Sequence, residues 1–366
     1  MSIWPFVLAL TVAAAPAPAS LDAGLCAPQY QILHPELCPA LGPGDYAVQL
    51  AGSQVPADLP ALPARRLPVL NPVVALTYAR VVTPDAPVFA TPADAVAGVS
   101  KRNLGKGLIF VNVVQTVEQG GQTFAQIRQG GYVRAADLTA VTPTDFRGAV
   151  FTAPPAYPFG WVVLNTRPSL QPGATPPPGP ALTRRTLVQI FATQHVGDWD
   201  WYLIGPQQWV DQRTVARVDI NPPPEGVSGK WIQVNLYEQT LAAYEDDRLV
   251  FATLVSSGLD KWPTRPGLFH IKTRLETDLM SGSYEPDGSD YYYLEAVPWV
   301  MYFDGQRALH GEYWHDQLGF KRSNGCVNLA PLDARWLFDW APKGTPVWVY
   351  DPSGQTPTDV TDGGAP

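Results

Sequence analysis

Charge is scarce in this chain, and so are cysteine and histidine. Only 16% of the 366 residues are Asp, Glu, Lys or Arg, and there are three Cys and five His. The net charge of −8 argues against nucleic acid, and against an anionic membrane surface, as a primary partner. His34, His195 and His270 have no ligand-like neighbours in the sequence and read as structural, so no metal or cofactor is expected. The N-terminal apolar run falls short of the about 20 residues that a membrane-spanning helix needs. What the chain has in quantity is Pro (39) and Gly (31), a composition of short strands, turns and linkers rather than long helices. Its length makes two or three domains the prior.

Residues 1–19 form that apolar run and end in small residues, resembling a secretory signal that lacks the usual positive start. Ala17-Pro18-Ala19 is the cleavage site this reading gives; a disordered Ala/Pro tail is the alternative. Ala23-Gly24-Leu25 lacks the small residue expected just before a lipidated cysteine, so an anchor on Cys26 is unsupported. An exported protein, in the cell envelope or wall, would let Cys26 and Cys38 pair within the Pro-rich lead segment 20–72. That pairing leaves Cys326 as the odd thiol, which flags a reactive cysteine in a secreted chain.

Ala61 to Pro72 reads as a linker. From 73 to 145, short apolar alternations at Ala79–Val82, Leu108–Val113, Thr123–Ile127 and Gly131–Val133, with a hairpin signal at Gln119-Gly120-Gly121-Gln122, suggest a first small barrel. Gly131-Tyr132-Val133-Arg134-Ala135-Ala136-Asp137-Leu138 resembles the last strand and turn of bacterial Src-homology-3-like domains. A weak internal repeat of about 75 residues suggests a second such barrel over 158–221. Wall or substrate binding and an inert spacer are both open for the pair. Asn221 to Gly226 is a stiff Pro-rich boundary. Beyond it, Lys230–Leu236, Thr240–Tyr244 and Leu249–Ser256 read as a β-meander, with later strands at Leu268–Lys272, Tyr291–Leu294, Trp299–Phe303 and Val347–Tyr350. One helix is expected, Pro331–Trp340, with Pro in its first turn and Leu332, Trp336, Leu337 and Trp340 on one face. Residues 351–366 read as a polar, disordered tail.

The stretch from His310 to Asn328 carries the chemistry. It holds Cys326, the only cysteine outside the lead segment, together with His310 and His315. A thiol at neutral pH is mostly protonated, with an unperturbed pKa of about 8.5, and an imidazole can take its proton. Gly325 allows a tight turn whose amides can face an oxyanion. The bland alternative is a buried cysteine acting as a small hydrophobe.

Residues 229–350 resemble the L,D-transpeptidase catalytic domain (the YkuD-like family). The resemblance rests on Trp231 to Val250, on Ser256-Ser257-Gly258 followed by Trp262-Pro263-Thr264-Arg265-Pro266-Gly267-Leu268-Phe269, and on His310-Gly311 followed by Ser323-Asn324-Gly325-Cys326-Val327-Asn328. It implies a mainly β fold: a C-terminal β-sandwich-like catalytic domain with one short helix after the nucleophile, preceded by the two small β-barrels. It also implies that Cys326 attacks a peptidoglycan stem peptide, that His310 takes the thiol proton with the Gly311 carbonyl orienting its ring, and that the Gly325 and Cys326 amides receive the oxyanion. The thioester so formed would pass to an amine of a second stem without metal or cofactor, and carbapenem-type inhibitors would trap the thiol. Ser323 belongs to the same signature. Asn324 departs from it, since the family usually carries His there; Asn can donate a hydrogen bond but cannot titrate. His315 is a rival base. Asn328, Tyr313 and Trp314 are expected to contact substrate, and Arg322, with Lys321, either binds stem carboxylates or lies in a solvated loop. An L,D-carboxypeptidase or endopeptidase that uses water, and a wall-binding protein with a decayed site, are the competing functions.

Overall fold

The meander after the Pro-rich boundary forms in the computed structural model, which describes residues 61–68 and 73–357. The strands Lys230–Asn235, Thr240–Glu245 and Arg248–Ser256 pair antiparallel. Gln239 and Asp246, at φ 55° and 56°, turn the chain between them. Pro346–Tyr350 adds in parallel to the first of these strands, and Gly267–His270 pairs antiparallel with Pro346–Tyr350. A second sheet consists of Thr273–Gly282, Tyr292–Asp304, Arg307–Gly311 and Val327–Leu329, and it joins the first through Val255 and Ser256. Ile232, Val234, Leu241 and Phe251 face Met301, Phe303, Leu309 and Val327 across one core. Each such side chain contributes about 1.5–3 kcal/mol on burial.

The helix Pro331–Trp340 starts directly after the strand that follows Cys326. It buries Leu332, Ala334 and Leu337, while Trp336 and Trp340 stack at 5.7 Å along its flank. Its buried Asp333 accepts hydrogen bonds from the Gly148 amide (2.8 Å) and the Thr253 hydroxyl. These bonds tie the start of the helix to Arg248–Ser256 and to the residue before Ala149–Phe151.

Ahead of this unit, Thr77–Val81, Leu108–Gln119, Gln122–Ile127, Tyr132–Arg134 and Leu138–Val141 pair in a small curled sheet, with Pro87–Phe89 and Ser100–Asn103 alongside. A six-residue helix, Pro92–Ala97, joins two of these strands, beyond the one helix expected. Its signal is present in the sequence: Thr91 and Asp94 cap each other reciprocally, and Pro92 opens the first turn. The next region holds two three-stranded sheets, one from Phe159–Val162, Leu187–Gln189 and Val215–Val218, the other from Ala192–Val196, Trp199–Gly205 and Gln208–Asp211.

Three stretches differ from their expected roles. Ala64–Arg66, within the expected linker, pairs with Ala149–Phe151, and that strand in turn pairs with Phe251 and Ala252 of the C-terminal sheet. Asp351 is not in a loose tail: its carboxylate accepts from the amides of Ser353 (2.8 Å) and Thr356 (2.9 Å). Thr273–Gly282 is a ten-residue strand where none is expected. The signal segment 1–19, Cys26 and Cys38 lie outside the described residues. Among the described residues no helix is long and apolar enough to cross a membrane.

The first curled sheet is joined to the C-terminal unit. Leu108–Phe110 runs parallel to Tyr292–Leu294, so its long strand extends the second sheet. The Tyr78 ring stacks on Tyr313 at 3.6 Å and its hydroxyl donates to the Ala296 carbonyl at 2.8 Å. The Asn112 amide donates to the Glu295 carboxylate at 2.9 Å.

Candidate active site

Two neighbouring parallel strands bring the candidate residues together. Leu309 pairs with Val327 and His310 with Asn328, and extending that register back one residue sets Ala308 opposite Cys326. Partners across a pair share a face and alternate residues share one too, so Ala308, His310, Cys326 and Asn328 all lie on one side. Cys326 itself is half-buried and is the free cysteine of the described residues. Its sulfur lies 3.7 Å from the Gln306 carbonyl oxygen.

The turn before Cys326 is fixed at nearly every polar group. Ser257 O accepts from the amides of Arg322 (2.9 Å) and Ser323 (3.0 Å). The Ser323 hydroxyl donates to the Cys326 carbonyl and accepts from the Gly325 amide at 3.2 Å. Thr264 Oγ1 donates to Gly325 O at 2.8 Å, and Tyr284 OH donates to Asn324 O at 3.1 Å. Gly325 sits at φ 114°, and a Cβ there would stand 3.2 Å from Nε of Arg307. Only glycine adopts that backbone without strain. The Gly325 amide, expected to face an oxyanion, donates to Ser323 in this structure.

His310 is 2% exposed, and its Nδ1 lies 3.1 Å from the Gly311 carbonyl oxygen. With Nδ1–H donating there, Nε2 carries the free lone pair. Burial pulls the imidazole down to about 4, against the opposing pull of the Gly311 carbonyl. Burial likewise pushes the Cys326 thiol up, while the Ala308 amide and the Arg307 guanidinium pull it down. Both shifts favour the neutral forms, a thiol on Cys326 and an imidazole on His310.

Behind the pair lies a buried polar chain. Glu312, fully buried, accepts from the His315 amide at 2.9 Å and stands 3.4 Å from Nδ1 of His315. His315 Nδ1 accepts from the Gln317 amide at 3.2 Å, so the neutral ring carries its proton on Nε2. The Asn328 Nδ2 lies 3.2 Å from that Nε2, while the Asn328 Oδ1 is buried without a partner; exchanging the two amide atoms gives the ring proton its acceptor. Burial together with Arg322 holds His315 at about 4, so this ring is bound into a network rather than free to act as base. Glu312 keeps one carboxyl oxygen buried without a partner, and burial pushes its pKa up to about 8.

That last shift is testable as stability. A carboxyl whose folded pKa lies above its unfolded value contributes fully below the unfolded value of about 4.3, and the contribution is lost as pH rises toward 8. Wild-type stability relative to Glu312→Gln is expected to fall by up to about 1.4 kcal/mol per pH unit across that window. Urea unfolding of both proteins at pH 5, 6.5 and 8 measures it. A constant difference would show that Glu312 is ionised in the fold.

The remaining expected site residues divide. Trp314 is half-buried with its ring 5.7 Å from that of His310. Arg322 is exposed, and Lys321 pairs with Asp260 at 2.8 Å. Tyr313 and Asn328 correct the expectation of substrate contact: Tyr313 is 1% exposed and stacked on Tyr78, and Asn328 is 2% exposed against His315. Large aromatic area is buried wherever a partner surface exists, and the first sheet supplies one. Tyr292 packs beside Cys326 on one apolar cluster, whereas Tyr293 is core and Trp299 packs on the helix side. Arg307 and Tyr284 are the site residues that sequence reading missed. Neither stands in a motif: Arg307 opens the strand parallel to that of the nucleophile, and Tyr284 lies in the loop between Thr273–Gly282 and Tyr292–Asp304. Among the described residues no group of three or more His, Cys, Asp or Glu could hold a metal ion.

Residues 229–349 match the family described as the L,D-transpeptidase catalytic domain. A Bacillus subtilis (strain 168) protein, YciB, provisionally named as an L,D-transpeptidase, is 28% identical over 131 residues, which are 32% of this chain and 64% of that one. Among solved structures, the Enterococcus faecium L,D-transpeptidase C442S mutant is 27% identical with a TM-score of 0.31, covering 34% of this chain and 50% of that one. The L,D-transpeptidase from Mycobacterium smegmatis is 21% identical with a TM-score of 0.32, covering 42% and 66%. The chain thus spans under two thirds of the length of these relatives.

Proposed function

We propose, on the premise that residues 229–349 are an L,D-transpeptidase catalytic domain, that this protein is a cysteine acyltransferase acting outside the cytoplasm on peptidoglycan stem peptides. The observation that carries the reading is the parallel pairing of His310 and Asn328, which puts His310 and Cys326 on one face of neighbouring strands while the Gly311 carbonyl holds Nδ1–H. As the sulfur attacks the carbonyl of the stem's diamino acid, Nε2 of His310 takes the thiol proton. The Cys326 amide faces the developing oxyanion. Collapse expels the following D-alanine as its amine, which receives the proton from His310. An amine of a second stem then attacks the thioester, the C–N bond forms as the C–S bond breaks, and the thiol regains its proton. Splitting the exchange in this way replaces one hard step with two easier ones.

The test is intact-protein mass after incubation with a carbapenem, with Cys326→Ala alongside. One adduct on the wild type and none on the variant is expected. Product analysis with a tetrapeptide muropeptide is expected to give cross-linked dimer rather than hydrolysed tripeptide. An unmodified Cys326 that a small alkylating agent still reaches would defeat the proposal in favour of a wall-binding role.

A further inference from the structure

One charged side chain reaches the nucleophile turn from outside the His310-Gly311 and Ser323–Asn328 motifs. Arg307 opens the strand Arg307–Gly311, and the carbonyl 3.7 Å from the Cys326 sulfur belongs to the residue just before it, Gln306. The Arg307 side chain runs across Gly325, where a Cβ would stand 3.2 Å from its Nε, 3.5 Å from its Cγ and 3.7 Å from its Cδ. Glycine beside Cys326 thus serves this close approach as well as the backbone. Nε of Arg307 donates to the Pro263 carbonyl at 3.2 Å, and Nη1 lies 3.3 Å from Oδ2 of Asp304. Arg265 donates twice to the same carboxylate, once at 2.8 Å to Oδ2. The Arg307 side chain is 11% exposed and that of Asp304 is 6% exposed. The guanidinium is therefore fixed and poorly screened, and a charge in such surroundings acts more strongly than in water.

The rest of the sulfur's surroundings offers little to an anion. Cys326 packs with Tyr292 and Tyr302 in one apolar cluster, and Tyr284 bonds to the Asn324 carbonyl at 3.1 Å. Burial pushes the hydroxyls of all three tyrosines up, so they stay neutral. The carboxylates of the neighbouring strands, Asp278 and Asp304, are bound by Tyr302 (2.7 Å) and by the two arginines. His310, on the same face as Cys326, is held neutral by burial, and Asn324 cannot titrate. Against the burial that raises the thiol, the Ala308 amide and the charge of Arg307 pull it down.

Resting on the acyl-transfer reading above, we propose that Arg307 is a positioning residue of the reaction, bracing the turn at Gly325 and holding positive charge toward the Cys326 sulfur whenever that sulfur is anionic. Anionic sulfur arises twice. It develops first as the thiol proton passes to Nε2 of His310 and the C–S bond forms. It returns when the acceptor amine attacks: C–N forms, the C–S electron pair goes back to sulfur, and the amine's proton reaches it through His310. Arg307 exchanges no proton in either step, because a guanidinium stays charged.

The test is the rate at which iodoacetamide alkylates Cys326 as a function of pH, since the thiolate is the reacting form and no acyl donor is involved. Arg307→Gln is expected to slow alkylation at pH 7 by about tenfold, the low end of what one opposite charge does to an ionisable group. Its pH profile is expected to move to higher pH without a lower rate at the alkaline end. Arg307→Lys, which keeps the charge, is expected to recover most of the rate. Asp304→Asn has the opposite sign: with that carboxylate gone the Arg307 charge acts more strongly, and the profile moves to lower pH. Should Arg307→Gln fail to fold, the direction of the Asp304→Asn shift decides, and an alkaline shift there overturns the proposal. A midpoint that stays fixed in Arg307→Gln also overturns it, including the case of an even loss of rate at every pH, which a purely structural brace would give. Carbapenem adducts read the acyl-transfer premise separately. A fixed midpoint with adducts on wild type defeats the role of Arg307 alone; no adduct on wild type defeats the acyl-transfer reading and the place of Arg307 in it.

Discussion

His310→Gln is expected to slow carbapenem acylation of Cys326 by about 10²–10⁴-fold, the range of a positioned general base, while wild-type rates stay flat from about pH 5 to above 8. Both outcomes follow from the resting charges. His310 is pulled down to about 4 and the thiol is pushed up, so a thiolate–imidazolium pair is scarcely populated before reaction. The proton must move as the sulfur attacks, and a normal solvent isotope effect is expected, as for proton transfer within the transition state. The sign of the acid limb is also fixed. Below about 4 the imidazole holds a proton and loses its role as base, so the rate falls tenfold per pH unit there. An acid limb near 6.5, the ordinary histidine value, would mean a preformed ion pair and would refute this account. The same depression acts on stability. The unfolded chain binds the proton first, so the stability that neutral His310 contributes is present above about 6.5 and is lost as pH falls toward 4.

Much of this site was legible before any coordinates, and the limits have physical causes. Cys326, Gly325, Ser323 and the histidine upstream stand in a fixed short pattern, because a nucleophile turn confines backbone and side chain at once. The meander was legible for a related reason: Lys230–Asn235, Thr240–Glu245 and Arg248–Ser256 are apolar-rich runs separated by turns at Glu238-Gln239 and Asp246-Asp247. Thr273–Gly282 was not legible. Its residues are mostly exposed or half-exposed, and a register shift between Asp278 and Met280 breaks the alternation a reader relies on. Tyr292–Asp304 read as two strands because Ala296 and Trp299 take φ 53° and 59° inside it. Tyr313 carries the expectation of substrate contact from its place between His310 and Cys326, and Asn328 from its place at the end of the signature. Their real neighbours, Tyr78 and His315, lie at distances along the chain that no local pattern encodes.

Tyr78→Ala is expected to destabilise the protein by about 3–5 kcal/mol, as for a fully buried aromatic truncated in a core, and to slow acylation in the molecules that remain folded. Tyr78 is 1% exposed, and its ring lies parallel to that of Tyr313 within 12° at 3.6 Å. The stacked pair adds about 0.5–1.5 kcal/mol beyond the area it buries. Its hydroxyl also satisfies the Ala296 carbonyl, at a position whose φ of 53° already bends the strand. Tyr78→Phe isolates that hydrogen bond and is expected to cost only about 0.5–1.5 kcal/mol. The link to chemistry runs through the next residue. Tyr313 is held by Tyr78 on one side and by the Glu295 carbonyl, at 2.7 Å, on the other, and Trp314 follows it to face His310. Loss of the stack frees the loop that carries Trp314, so urea unfolding and carbapenem acylation of the same variant should move together. If Tyr78→Ala instead melts the first curled sheet in a separate transition and leaves acylation at the wild-type rate, that sheet is a tethered spacer. Coupled loss makes it part of the catalytic unit, because the same aromatic pair then holds two regions together and fixes the wall of the site.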